Sequence, residues 1–72
     1  MTDVEIRDES IRLGQFLKLA GLADDGAEAK TLLAKGVVSV NDAPEGRRGR
    51  QLTAGDVVEV EGRGRATVSV AG

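Results

Sequence analysis

The sequence predicts an α+β fold in which two short helices pack on a small, mainly antiparallel sheet. Residues 12–20 and 27–35 carry apolar residues at the spacing of helices with one buried face. A short alternating run precedes these two segments, and short valine-rich runs follow them. The order β-α-α-β-β-β and the length of 72 residues lead us to expect one domain over residues 1–72.

The first strand and the first helix follow from local patterns. Apolar and charged residues alternate over residues 3–7, which predicts a strand with one buried face. Ser10 is the candidate N-cap of the first helix and Gly21 its stop. Leu19 lies off the apolar stripe, so we expect it either to be partly exposed or to cover a neighbouring element. The stripe itself comprises Leu13, Phe16, Leu17 and Ala20.

The second helix has the clearer start signal. Asp25 is followed three residues later by Glu28, the spacing of a capping box with aspartate in the first position. Gly36 ends the helix. Its buried side comprises Ala29, Leu32 and Leu33.

Three further strands are predicted after the helices, at residues 37–40, 57–61 and 66–70. Asn41 and Asp42 form a turn pair after the first of them. The strand at 3–7 is expected to pair with the last strand. Arg63 and Arg65 flank a hairpin, where they either pair with Glu59 and Glu61, the reading favoured here, or contact a ligand. The predicted core comprises Leu13, Phe16, Leu17, Leu32, Leu33, Val38, Val40, Val58 and Val60.

The composition argues against catalysis and against a membrane protein. The chain has no histidine and no cysteine, so the usual metal ligands and acid–base groups near neutral pH are missing. Its serines have no histidine base, which makes nucleophilic catalysis unworkable. No apolar run reaches the roughly 20 residues that span a bilayer, and the acidic N-terminus is not a signal peptide. We expect a cytoplasmic protein that is not an enzyme and has no cofactor.

The strongest functional signal is a basic segment between strands, residues 45–50, here called the arginine loop. It contains Arg47, Arg48 and Arg50, interspersed with Gly46 and Gly49. The net charge of −2 opposes nucleic-acid binding, but a local cluster decides docking more than the total charge does. The arginine loop therefore points to phosphate binding, with a merely solvated loop as the alternative.

Several motifs in order resemble the S-four RNA-binding domain, the alpha-L motif. They are Arg12-Leu13, Gly26-Ala27-Glu28-Ala29-Lys30, Leu33, Gly36, Val38-x-Val40-Asn41 and Gly55-Asp56-Val57-Val58. The opening IRDESIRLGQFLKLA and the paired arginines after the Val-Asn turn are similar to the small stand-alone bacterial YbcJ-like branch. The resemblance covers about residues 4–61, with the motif core at about 11–61. Asp25-Gly26 and Asp42 depart from the family pattern, and these departures bear on the affinity for RNA.

The resemblance implies a non-catalytic module whose two-helix face and following loop bind structured RNA, either ribosomal or transfer RNA, with the ribosome as a further partner. The implied helix contacts are Arg12, Lys18, Lys30 and Lys35, and the implied loop contacts are Arg47, Arg48 and Arg50. Lys30 and Lys35 also fit the plainer role of cations that complement a helix dipole. We expect a monomer.

The residues themselves indicate how RNA would be bound. Phe16 is the only aromatic residue and belongs to the predicted core, so no platform is left for stacking bases. Arginine and lysine contacts to the RNA backbone remain. The alternative function is a small protein–protein adaptor that uses its sheet edge or the patch around Leu19.

Overall fold

The computed structural model describes residues 2–70 and contains two helices and seven short strands. In chain order the elements are β1 (Thr2–Ile6), β2 (Ser10–Arg12), α1 (Leu13–Leu19), α2 (Gly26–Lys35), β3 (Val38–Val40), β4 (Ala43–Pro44), β5 (Gln51–Thr53), β6 (Val57–Val60) and β7 (Gly64–Val70). The predicted α+β class is confirmed, with both helices packed on a mainly antiparallel sheet.

The main sheet has five strands in the order β1-β7-β6-β3-β4. All its neighbouring pairs are antiparallel except the one between β1 and β7, which is parallel and aligns Val4 with Val68. The predicted pairing of the N-terminal strand with the last strand is therefore confirmed. Strands β2 and β5 form a separate antiparallel pair that the sequence did not predict.

The hydrophobic core lies between the helices and one face of the main sheet. Alternate residues of β3, β6 and β7 are buried, as a strand with one covered face requires. All nine predicted core residues are buried, and Phe16 is fully inaccessible. The core also includes residues that the prediction did not name, namely Ile6, Leu22, Ala23, Leu52, Ala66 and Val68.

The start of α1 corrects the sequence prediction. Ser10 does not cap the helix, because it belongs to β2 and lies opposite Thr53 of β5. The residue before the helix is Arg12, whose backbone is extended and whose side chain makes no capping hydrogen bond. The cap is supplied by another part of the chain: the Leu13 and Gly14 N–H groups donate to carbonyls of the arginine loop.

The start of α2 largely follows the prediction. The Asp25 side chain accepts a hydrogen bond from the Glu28 N–H at 2.8 Å. The Glu28 carboxylate accepts from the N–H of Asp24 at 2.8 Å, one residue earlier than a capping box requires. At the other end Gly36 has φ 74°, a left-handed conformation that glycine adopts without strain.

The turn after β3 is also confirmed. Asn41 and Asp42 have φ values of 52° and 68° and join β3 to β4 in a two-residue hairpin. The Asn41 side chain secures this turn, since its Oδ1 accepts from the Val57 N–H at 2.9 Å. None of the helices among residues 2–70 combines the length and the apolar character that crossing a bilayer demands.

Candidate nucleic-acid interface

The arginine loop is attached to the fold at both ends. At its start the Glu45 N–H donates to the Val38 carbonyl of β3 at 3.0 Å. At its end β5 pairs with β2, which aligns Gln51 with Arg12. The loop therefore lies against the beginning of α1.

Two backbone hydrogen bonds hold the loop against α1. The Leu13 N–H donates to the Arg50 carbonyl at 2.8 Å, and the Gly14 N–H donates to the Arg48 carbonyl at 3.0 Å. The first N–H groups of a helix have no partner inside the helix. Here the loop carbonyls satisfy two of them, so the position of the loop is coupled to the helix.

An open concavity of about 340 Å³ lies where α1, α2 and the arginine loop meet. Three of the predicted RNA contacts line it, one at the start of α1, one in its last turn and one in the loop. Its lining comprises Arg12, Gly14, Gln15, Lys18, Gly26, Ala29, Arg48 and Gly49. Within residues 2–70, Arg12, Lys18 and Arg48 form no ion pair. Three cations without an acidic partner in the described part of the chain thus line one concavity together with several small residues.

The other two loop arginines are engaged by Glu45, which is only 9% exposed. Glu45 Oε2 accepts from the Arg47 Nε at 3.2 Å and from the Arg47 backbone N–H at 3.1 Å. Glu45 Oε1 accepts from the Arg50 Nη1 at 2.9 Å. The hydrogen bonds from Arg47, and next the one from Arg50, lower the pKa of Glu45 to about 2. The same carboxylate raises the pKa of the Arg47 guanidinium.

The two remaining lysines differ in position. Lys30 lies beside a second depression of about 260 Å³, which it shares with Arg48, so it borders the first concavity through that arginine. Lys35 is in the last turn of α2 and lines neither depression. The structure therefore groups Arg12, Lys18 and Arg48, places Lys30 beside them, and leaves Lys35 apart.

The hairpin arginines pair within the chain, one of them with an unexpected partner. Arg65 Nη2 contacts Glu59 Oε1 at 3.1 Å, as predicted. For Arg63 the predicted partners Glu59 and Glu61 are wrong. Arg63 Nη1 donates to Glu28 Oε1 at 2.6 Å and to the Leu22 carbonyl at 3.2 Å, which ties the hairpin to the start of α2. The bond from Arg63 is also the main reason that the pKa of Glu28 is lowered.

Sequence reasoning missed two kinds of residue at this interface. The role of Glu45 had a visible signal, since an acid two residues before one arginine and five before another is well placed to pair with both. Gly14 and Gly26 stand in the motifs that resemble the family, but only the tertiary arrangement brings them to the lining of the concavity. Within residues 2–70 no cluster of three or more acidic side chains is arranged to hold a metal ion.

Comparisons with known proteins agree with the motifs. The family model described as the S4 domain matches residues 4–69. "Probable ribosome maturation protein RlbA" of Bacillus subtilis is 54% identical over 61 residues, which cover 85% of this chain and 86% of that protein. "Putative RNA-binding protein YbcJ" of Escherichia coli is 38% identical over 52 residues, covering 72% of this chain and 74% of that protein.

A solved structure shows the same fold. The crystal structure of the 30S ribosomal protein S4e from Thermoplasma acidophilum superposes with a TM-score of 0.59 at 28% sequence identity. The match covers 78% of this chain but 30% of the ribosomal protein, so the shared region is a minor part of that larger chain.

Proposed function

The chain belongs to the S4 domain family, and from that premise we propose that it is a non-catalytic RNA-binding module that contacts the phosphate backbone of structured RNA. The names of its relatives, a ribosome maturation protein and an RNA-binding protein, support this proposal. They also support ribosomal RNA, with transfer RNA as the alternative, and a protein that works on or near the ribosome. We further propose that the protein is a cytoplasmic monomer.

The observation that carries the proposal is the grouping of Arg12, Lys18 and Arg48 around one concavity without acidic partners. A cation that is already paired in the free protein must exchange one anion for another when it binds phosphate. An unpaired cation has no such competitor, so its attraction for phosphate is undiminished. These three residues are therefore proposed as the principal contacts.

The other predicted contacts are assigned smaller shares. Lys30 is proposed to bind an adjacent phosphate, because it borders the depression on the far side of Arg48. Arg47 and Arg50 share the charge of Glu45, which offsets part of their attraction for RNA. Lys35 is left with a peripheral contact, since it lines neither depression.

The kind of RNA recognition that we propose follows from two properties of the interface, its lack of an aromatic side chain and its cluster of cations. Phe16 is fully buried and is the only aromatic residue, so none can stack on an exposed base. Backbone phosphates of a folded RNA are the ligands that three clustered cations suit best. The adaptor alternative has a weaker basis: Leu19 is 54% exposed, but a single exposed leucine is ordinary on a soluble domain.

The test is a titration of a folded ribosomal RNA fragment at several salt concentrations. The three principal phosphate contacts should give a slope of log affinity against log salt of about −2.1 to −2.7, which is a loss of roughly 20- to 40-fold between 50 and 200 mM salt. Arg12→Ala, Lys18→Ala and Arg48→Ala should each reduce that slope by about 1.

Arg65→Ala is the matched control. It also removes one arginine, but Arg65 pairs with Glu59 and lines neither depression, so the slope should stay that of the wild type. Binding that is absent or independent of salt would refute the proposal and favour the adaptor function. A transfer RNA fragment titrated in parallel compares the two RNA classes.

A further inference from the structure

Gly14 and Arg48 approach each other more closely than any side chain at position 14 would allow. A Cβ atom at Gly14 would overlap Arg48 Cγ and lie 3.1 Å from Arg48 Cδ. Gly14 is buried on α1, and its backbone does not require glycine, since it is not among the glycines with positive φ. The need for glycine at this position therefore comes from the neighbouring arginine.

We propose that Gly14 is the positioning residue of the interface. The missing side chain lets the aliphatic stem of Arg48 pack on α1 at Gly14, and Arg48 thereby lines the concavity that Arg12 and Lys18 also line. The result is one site for a backbone phosphate of RNA, in which Arg48 is the member whose place depends on Gly14. The inference rests on the proposed function and assigns its main loop contact.

The backbone of Arg48 has little freedom to relieve a clash. Its carbonyl accepts the Gly14 N–H at 3.0 Å, and the carbonyl of Arg50 accepts the Leu13 N–H at 2.8 Å. The Arg50 N–H donates in turn to the Arg47 carbonyl at 3.2 Å, which closes a turn around Arg48. An added Cβ would therefore displace the Arg48 side chain and leave the loop in place.

Glu45 strengthens this reasoning because it fixes the arginines on both sides. Arg47 and Arg50 are held by its two carboxylate oxygens, so their side chains are directed toward Glu45. Arg48 is the loop arginine that has no acidic partner among residues 2–70. The arginine loop thus divides its three arginines into two that shape it and one that is presented to RNA.

Packing of the aliphatic stem of Arg48 against α1 in the free protein also favours RNA binding. A free arginine side chain loses rotamer freedom when it binds, which opposes association. Packing against α1 restricts that freedom before RNA arrives. Losing this packing against α1 should therefore weaken RNA binding even though the charge of Arg48 remains.

The experiment is a double-mutant cycle with the same ribosomal RNA fragment. Gly14→Ala should reduce affinity about three- to tenfold, less than Arg48→Ala does, and should have no further effect in the Arg48→Ala background. The Nε–Hε resonance of Arg48 in the free protein should shift in Gly14→Ala, a change that is independent of RNA. The melting temperature should not fall in Gly14→Ala/Arg48→Ala, because alanine is the better helix former.

Three results would overturn the proposal. One is wild-type affinity in Gly14→Ala, and another is a loss that adds fully to that of Arg48→Ala. The third is a fall in melting temperature that persists in the double variant, since the strain would then not involve Arg48. If Arg48→Ala lowers the affinity and the salt slope while Gly14→Ala leaves the affinity unchanged, the proposed function stands and the positioning role fails. If the wild type does not bind RNA, both fail.

Discussion

Replacing Phe16 with alanine should remove a large part of the stability of this fold. Phe16 is fully buried on α1 and is the largest of the inaccessible side chains. Truncating a buried phenylalanine to alanine costs about 3–5 kcal/mol in lost burial and in the cavity left behind. A chain of 72 residues has a total free energy of unfolding of roughly 4–11 kcal/mol. The substitution should therefore leave the protein marginally folded.

Leu19 provides a matched control on the same helix. It is 54% exposed, so Leu19→Ala should change the free energy of unfolding by no more than about 0.5 kcal/mol. Each kcal/mol corresponds to about 4–8 °C in melting temperature for a domain of this size, so Phe16→Ala should melt at least about 12 °C lower than the wild type. Thermal unfolding followed by circular dichroism measures both variants. Equal effects of the two substitutions would refute the assignment of the buried face of α1.

Two further predictions concern charged and capping residues. The pKa of Glu45 is lowered from 4.5 to about 2, so the stability it contributes is fully present above pH 4.5 and is lost as the pH falls through about 2. The difference in urea midpoint between the wild type and Glu45→Gln should accordingly be constant from about pH 7 to about pH 5 and vanish near about pH 2. A difference that stays constant over that whole range would contradict the role of Arg47 and Arg50. Asp25→Ala should lower the free energy of unfolding, measured in urea, by about 0.5–2 kcal/mol, because the Glu28 N–H loses its acceptor. Asp25→Asn keeps an acceptor and should stay close to the wild type. Equal losses in the two variants would show that the charge of Asp25, not its capping hydrogen bond, matters.

The elements that were predictable from the sequence are those whose ends are coded locally. Helix α2 begins at a side-chain cap on Asp25 and ends at Gly36, and both signals depend on residues within one turn. The Asn41-Asp42 turn is likewise a property of two adjacent residues that tolerate positive φ. Such signals are strong because no distant part of the chain has to agree with them.

The elements that were missed depend on pairing between distant segments. Ser10 has the side chain of a good cap, but its partner in the structure is Thr53, and the pairing of β2 with β5 places it in a strand. Strands β2, β4 and β5 have two or three residues each and lack the run of valines that marks the equally short β3, so no strand pattern is visible. Leu52 was missed for the same reason, although it is fully buried at the end of the arginine loop.

The residue types of the candidate interface were predictable, but their arrangement was not. The arginine loop was identifiable as basic, yet its three arginines cannot be told apart by charge alone. Their difference arises from Glu45, which engages two of them, and from Gly14, which accommodates the third. The proximity of Arg48 to α1 is created by the same β2–β5 pairing that escaped prediction.

The pairing of charges also explains how an acidic chain can present a basic surface. Four arginines are engaged within the described part of the chain, two by Glu45 and one each by Glu28 and Glu59. The cations around the concavity have no such partner among residues 2–70. Exposed charges separated by more than about 8 Å are largely screened at physiological ionic strength, so a phosphate in the concavity responds chiefly to the cations beside it. The net charge of −2 therefore affects long-range approach to RNA more than the contact itself.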